Sequence, residues 1–154
     1  DKASRGERED MSGPAAEEIL KAHGYRIVYR EIVPDEQPEI EAALKRCADE
    51  KNVHLIVTNG GTGFSQRDVT PEATEDVCTR MAPGIAEAMR YESLKVTKKA
   101  MLSRAAAGIR GTSLIVNLPG SPKAVRENLL AVIETLAHGI RILNGSDGEC
   151  GRIS

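Results

Sequence analysis

Apolar residues recur along this chain with two different periods, and each period marks a different element. Residues 53–57, VHLIV, form a short run rich in β-branched side chains and read as a buried parallel strand. Residues 25–33, YRIVYREIV, alternate in part and read as a strand ended by Pro34. Residues 113–118, SLIVNL, read as another strand, closed by Pro119 and Gly120. The helical period is clearest over 38–51, where Ile40, Ala43, Leu44, Cys47 and Ala48 share one face. A helix over 14–23 is capped by Ser12, buries Ile19 and Leu20, and stops at Gly24. Thr70 as N-cap and Pro71 at the first helical position open a helix over 71–81. Pro83-Gly84 break it, and 85–96 form the next helix, with Ile85 and Met89 on one side. Ser121-Pro122 open a long helix to about residue 143, striped by Val125, Leu129, Val132, Ile133, Leu136 and Ile140 and stopped by Gly145. Residues 98–111 are ambiguous: the alanines favour helix, while Ser103-Arg104 and the two glycines favour a turn and a short strand.

Strands alternating with helices predict an α/β fold, a three-layer α/β/α arrangement with a mostly parallel sheet, in a single domain over 1–154. The 154 residues suffice for one core, and no repeat or linker interrupts them. Residues 146–154 read as a frayed tail. One Phe, three Tyr and no Trp make the core aliphatic and leave almost no stacking platform for bases. A net charge of −2 also argues against a nucleic-acid partner. No run approaches membrane-spanning length. Cys47, Cys78 and Cys150 are odd in number and share no metal-ligand spacing; Cys47 reads as a small core residue, and the chain as cytoplasmic and reduced.

The chemistry gathers where strands end. After the strand at 53–57 comes Asn59-Gly60-Gly61-Thr62-Gly63, whose glycines let backbone N–H groups approach a ligand. No Gly-Lys-Ser/Thr closes this loop, so it is not a Walker A loop, and its spacing is not that of a dinucleotide fingerprint. Asp35, Asp68 and the turn 117–121 occupy corresponding strand ends, and such turns converge on one edge of a parallel sheet. The helix start after Ser121 offers N–H groups and a positive dipole end to an anion, with Lys123, Arg104 and Arg67 to add charge. Each feature has a plainer reading. The glycine loop can be a surface turn, Asp35 a helix cap, Asp68 the surface partner of Arg67, and Ser121-Pro122 an ordinary helix opening. His23, His54 and His138 share no motif with a Cys or an acid.

Four blocks, DKASRGERED, IVPDE, GGTGFSQRDVTPEAT and NLPGSPKAVRENL, closely resemble the MogA/MoaB family of bacterial molybdopterin adenylyltransferases and the G domain of gephyrin. The resemblance runs from Asp1 to Gly145. The loop lacks the two successive acids of the CinA domain and the Ser-Gly-Gly loop of the MoeA type. It departs from many family members at Asn59, where Thr, Ser or Gly is usual. In the family the piece matching Asp1 follows a first strand, so the resemblance implies that such a strand precedes residue 1.

What the resemblance implies is specific. The activity is transfer of AMP from ATP to the terminal phosphate of molybdopterin, with release of pyrophosphate. Asp35 and Asp68 are the essential acids and, as hard oxygen donors, the ligands of Mg²⁺. Asp1, Asn59, Gly60, Gly61, Thr62, Gly63, Ser103, Arg104, Asn117, Pro119, Gly120, Ser121 and Lys123 bind pterin and phosphates. A homotrimer is expected, and so is contact with a molybdenum-insertion protein. Two further readings are a molybdopterin-binding MoaB-like protein without adenylyl transfer, and an assembly domain as in gephyrin.

Overall fold

The computed structural model describes residues 12–145. Five helices, α1 (Ser12–Ala22), α2 (Gln37–Lys45), α3 (Thr70–Val77), α4 (Pro83–Leu94) and α5 (Pro122–Leu143), surround four strands, β1 (Leu55–Asn59), β2 (Arg80–Met81), β3 (Ala107–Arg110) and β4 (Ser113–Leu118). The strands form one sheet in the order β1-β4-β3-β2.

β4 is the organising strand, and all six of its residues are buried. Its side chains alternate between the two faces. Leu114, Val116 and Leu118 join a cluster with α1, α4 and α5, through Ile19, Leu20, Met89, Leu129, Ile133 and Leu136. Ile115 points the other way and packs with Ile40 and Leu44 of α2, Ala73 and Val77 of α3, and Ile56 of β1. The expected three-layer α/β arrangement therefore stands. Among the described residues no helix is long and apolar enough to cross a membrane.

The strand directions are more mixed than a mostly parallel sheet. β1 runs parallel to β4, with Asn59 opposite Leu118, but β3 is antiparallel to β4 and β2 is antiparallel to β3. A tight turn forces the reversal between β3 and β4: Arg110 pairs with Ser113, and Gly111 between them has φ +60°.

Five expected elements differ in detail. The strand expected to be buried over 53–57 is β1, which lies at the edge of the described sheet with only Ile56 buried. Residues 25–33 form no ladder with any described strand. Tyr25 and Ile27 pack on one core cluster and Val33 on the other, while Val28 and Ile32 stay exposed. Their β-branched pattern suits a pleated surface, but a strand also requires a hydrogen-bonding neighbour. The helix expected over 71–81 ends at Val77, because Thr79 N donates to Ile109 O and Ala82 N to Ala107 O, drawing the chain into β2. Pro83 then begins α4 instead of only breaking its predecessor. The helix expected over 38–51 is α2 followed by a π-helical turn, Arg46–Glu50, and Asn52 then turns the chain at φ +51°. The ambiguous stretch 98–111 resolves into a 3-10 turn, Lys98–Leu102, and β3. Expectations placed on residues 1–11, on a preceding strand and on 146–154 lie outside the described residues.

Candidate functional site

The parallel pairing of β1 with β4 sets two loops side by side. Gly60 N donates to Leu118 O at 2.9 Å. A Cβ built on Gly60 would lie 3.8 Å from the Gly120 Cα, and one built on Gly120 would lie 3.7 Å from the Gly60 Cα. The loop after β1 and the loop after β4 thus meet along bare backbone. Gly60 and Gly61 have φ of +91° and +70°, which L side chains rarely adopt. Asn59 is exposed at the end of β1, and Thr62 is buried.

Beyond Gly63 the chain makes a tight turn. Asp68 N donates to Ser65 O, and Asp68 Oδ2 accepts from Ser65 N, both at 2.9 Å. A Cβ on Gly63 would stand 2.9 Å from Asp68 Oδ2, so any larger residue there would displace that carboxylate. Asp68 Oδ1 accepts no hydrogen bond among the described residues. Helix α3 starts one residue earlier than its sequence suggests: Val69 occupies the N-cap position, with no side-chain cap bond, and Thr70 belongs to the helix.

Arg104 ties these parts together. Its backbone N donates to Thr62 O, and its Nε donates to Gly63 O at 2.7 Å. Its Nη2 donates to Asp68 O, and its guanidinium pairs with the Glu72 carboxylate in the first turn of α3. That guanidinium holds the Glu72 carboxyl below the ordinary range. Ser103 is held locally, its Oγ accepting from Ala105 N and its carbonyl from Arg90 Nη1.

Asn117 lies on the α3-facing side of β4 and is fully buried. Its Nδ2 donates to Thr58 Oγ1 and Thr74 Oγ1, at 3.0 and 2.9 Å, and its Oδ1 accepts from Ala106 N. Burial of an amide requires such partners. Asn117 therefore braces β1, α3 and the 104–106 segment, the three pieces that carry the glycine loop.

At the start of α5, Ser121 Oγ accepts from Ala124 N, as the sequence leads one to expect. Val125 N bonds to Ser121 O and Pro122 has no N–H. The Lys123 N–H is left without a bond among the described residues, under an exposed ammonium side chain. Pro119 is half-buried and Gly120 exposed. Asp35 sits half-buried on the turn before α2. It is not the N-cap residue, which is Glu36. Helix α2 lies against α3, where Gln37 Nε2 donates to Asp76 Oδ2.

The structure thus brings together residues 59–63, 68, 103–104 and 117–121, places Asp35 at the head of the helix beside α3, and leaves Asp1 undescribed. Among the described residues no group of three or more His, Cys, Asp or Glu is arranged to hold a metal ion. Glu72, Thr58, Thr74 and Arg90 were not singled out by sequence, because each acts through a partner far along the chain.

A family model described as a probable molybdopterin binding domain matches residues 1–138. The molybdopterin adenylyltransferase of Helicobacter pylori is 48% identical over 148 residues, which are 95% of this chain and 84% of that protein. The Escherichia coli protein of the same name is 43% identical, over 91% of this chain and 75% of its own length. The crystal structure of the molybdopterin biosynthesis enzyme MoaB from Thermus thermophilus superposes with a TM-score of 0.89 at 48% identity, covering 94% of this chain and 91% of that one. Two parallel-strand loops in bare-backbone contact and a match along most of the chain lead to one statement: this protein belongs to the molybdopterin-binding domain family of molybdenum cofactor biosynthesis.

Proposed function

We propose that the chain is a molybdopterin adenylyltransferase. The observation that carries this reading is the contact of the glycine loop with the Pro-Gly-Ser helix opening, Gly60 against Gly120, beside the carboxylate of Asp68. That arrangement offers bare backbone amides, a helix N-terminus and Lys123 to phosphates. The names of the curated relatives support the same activity.

In the proposed reaction an oxygen of the terminal phosphate of molybdopterin attacks the α-phosphorus of ATP. A new P–O–P bond forms, the bond from Pα to the bridging oxygen breaks, and pyrophosphate leaves. The attacking phosphate is already ionised near neutral pH, so no side chain has to remove a proton. What the protein supplies is alignment of two anions and relief of their repulsion. The backbone amides of 61–63 and the Lys123 amide and ammonium serve binding, and Ser121 fixes the start of α5.

Asp35 and Asp68 fit a Mg²⁺ ion in chemistry: both are half-buried carboxylates, and Asp68 keeps one oxygen unbonded among the described residues. Mg²⁺ commonly takes one or two carboxylates, with phosphate and water oxygens completing its shell. It would supply charge neutralisation on the triphosphate. We further infer a cytoplasmic homotrimer, working next to a protein that inserts molybdenum.

A second reading comes from the family resemblance alone: molybdopterin binding without adenylyl transfer. Incubation with ATP, Mg²⁺ and molybdopterin separates the two. Release of pyrophosphate that depends on molybdopterin is the expected result. Calorimetric binding of molybdopterin with no pyrophosphate would establish the second reading and sink the first.

A further inference from the structure

We propose that Arg104 is a positioning residue, a latch that holds the glycine loop and Asp68 in their working shape, rather than a direct ligand of substrate phosphate. The bonds define the latch. Every nitrogen of its guanidinium is engaged within the protein: Nε with Gly63 O at 2.7 Å, Nη2 with Asp68 O at 2.5 Å, and Nη1 with Glu72 Oε2 at 2.5 Å. The backbone N of the same residue donates to Thr62 O at 2.8 Å. One residue therefore grips the loop before its turn, at 62–63, and after it, at 68, and anchors both to the first turn of α3 through Glu72.

The surroundings favour this role. The turn 65–68 has no core of its own: Phe64, Ser65, Gln66 and Arg67 are all exposed, and its internal bonds run only between Ser65, Arg67 and Asp68. Its shape depends on what holds its ends. The Asp68 carbonyl held by Arg104 and the Asp68 carboxylate used by the site belong to the same residue, so fixing the first aims the second. Lysine could not replace Arg104, because a single ammonium cannot reach three acceptors spread across a planar fork. Glu72 completes the device. It neutralises the guanidinium and fixes its plane, which lowers the pull of Arg104 on an incoming phosphate.

The test compares Arg104→Lys, Arg104→Ala, Glu72→Gln and the Arg104→Lys/Glu72→Gln double variant; its kinetic arm rests on the adenylyl-transfer reading. The latch predicts that Arg104→Lys loses nearly as much kcat as Arg104→Ala, about thirtyfold or more, with the KM for ATP changed less than threefold. Glu72→Gln should lose several-fold and add little to Arg104→Lys, since both break one device. Guanidinium ion should restore part of the activity of Arg104→Ala, and methylammonium should not. A direct phosphate ligand predicts the opposite pattern: Arg104→Lys close to the parent, Glu72→Gln unaffected, and KM for ATP raised tenfold or more in Arg104→Ala. That pattern overturns the proposal. If the parent itself transfers no adenylyl group, the functional reading fails while the latch is still judged by hydrogen exchange without ligand. Amides of 63–69 should exchange at least tenfold faster in Arg104→Lys than in the parent, with β4 unchanged, and unaltered exchange there refutes the latch.

Discussion

Gly61 and Thr70 are packed so closely that a Cβ on Gly61 would overlap Thr70 Oγ1, while Thr70 N donates to Gly61 O at 3.2 Å. Gly61 is thus required by the protein's own packing as well as by its φ of +70°. Gly61→Ala should cost about 1–2 kcal/mol from the left-handed backbone alone, with a further loss from the clash. Removing the obstacle, in the double variant with Thr70→Ala, should recover part of it. Urea unfolding of the two singles and the double checks this; strictly additive losses would contradict the packing account.

The two aspartates are expected to matter for turnover and little for folding. Asp68→Ala and Asp35→Ala should each lower the rate of pyrophosphate release by roughly a hundredfold or more, about 3 kcal/mol by analogy with the loss of other electrostatic stabilisers. Thermal melts should stay within a few degrees of the parent. Near-parental turnover in both variants would remove them from the mechanism.

Asn117 should behave differently from the aspartates. Asn117→Ala strips partners from Ala106 N, Thr58 Oγ1 and Thr74 Oγ1 inside the protein. The expected loss of stability is about 3 kcal/mol, read from chemical denaturation. An unchanged midpoint would show that the side chain is not the brace its bonds describe.

Acid should weaken the fold through specific pairs. Glu72 beside Arg104, Asp49 beside Arg110, and Glu31, which accepts from Tyr29 and pairs with Arg46, all have carboxyls held below their ordinary values. A carboxyl depressed in the folded state contributes stability that is complete above its unfolded pKa and is lost as pH falls through the folded one. Melting temperature should therefore hold steady from pH 7 to about 5 and fall below roughly 4.5, the ordinary glutamate value. Because these pairs are partly or wholly exposed, 1 M salt should flatten the slope. Glu72→Gln should flatten it too, and an identical slope in that variant would exclude Glu72 as a contributor.

Cys78 should be inert. Burial pushes its thiol up to about 11, so little thiolate exists at pH 8. Peptide mapping after iodoacetamide treatment should show it labelled roughly a hundredfold more slowly than in denaturant.

Sequence legibility varied with the distance over which each feature is determined. The run 113–118 announced a strand, and the structure adds that every residue of it is buried. Ser121 announced its cap because a cap is made within one turn. The extended stretch 25–33 pairs with no strand among the described residues, because β-branched residues specify a conformation and not a partner. β2, of two residues, is created by pairing with β3 and leaves no local trace. The site followed the same rule. The loops at 59–63 and 117–121 were read from glycines and a helix opening, and the parallel register brought them together. The bonds of Arg104 to Glu72 and of Asn117 to Thr74 span 32 and 43 residues, and no spacing rule reaches so far.

The contact of Gly60 with Gly120 has a consequence for anyone who would re-engineer this protein. Because neither surface carries a side chain, no rotamer can absorb a shift, and movement of either loop is passed directly to the other. Grafting 59–63 from a relative while leaving 117–121 in place would set mismatched backbones against each other. Transplants that exchange both segments as one cassette should retain solubility and ligand affinity where single-loop swaps lose them.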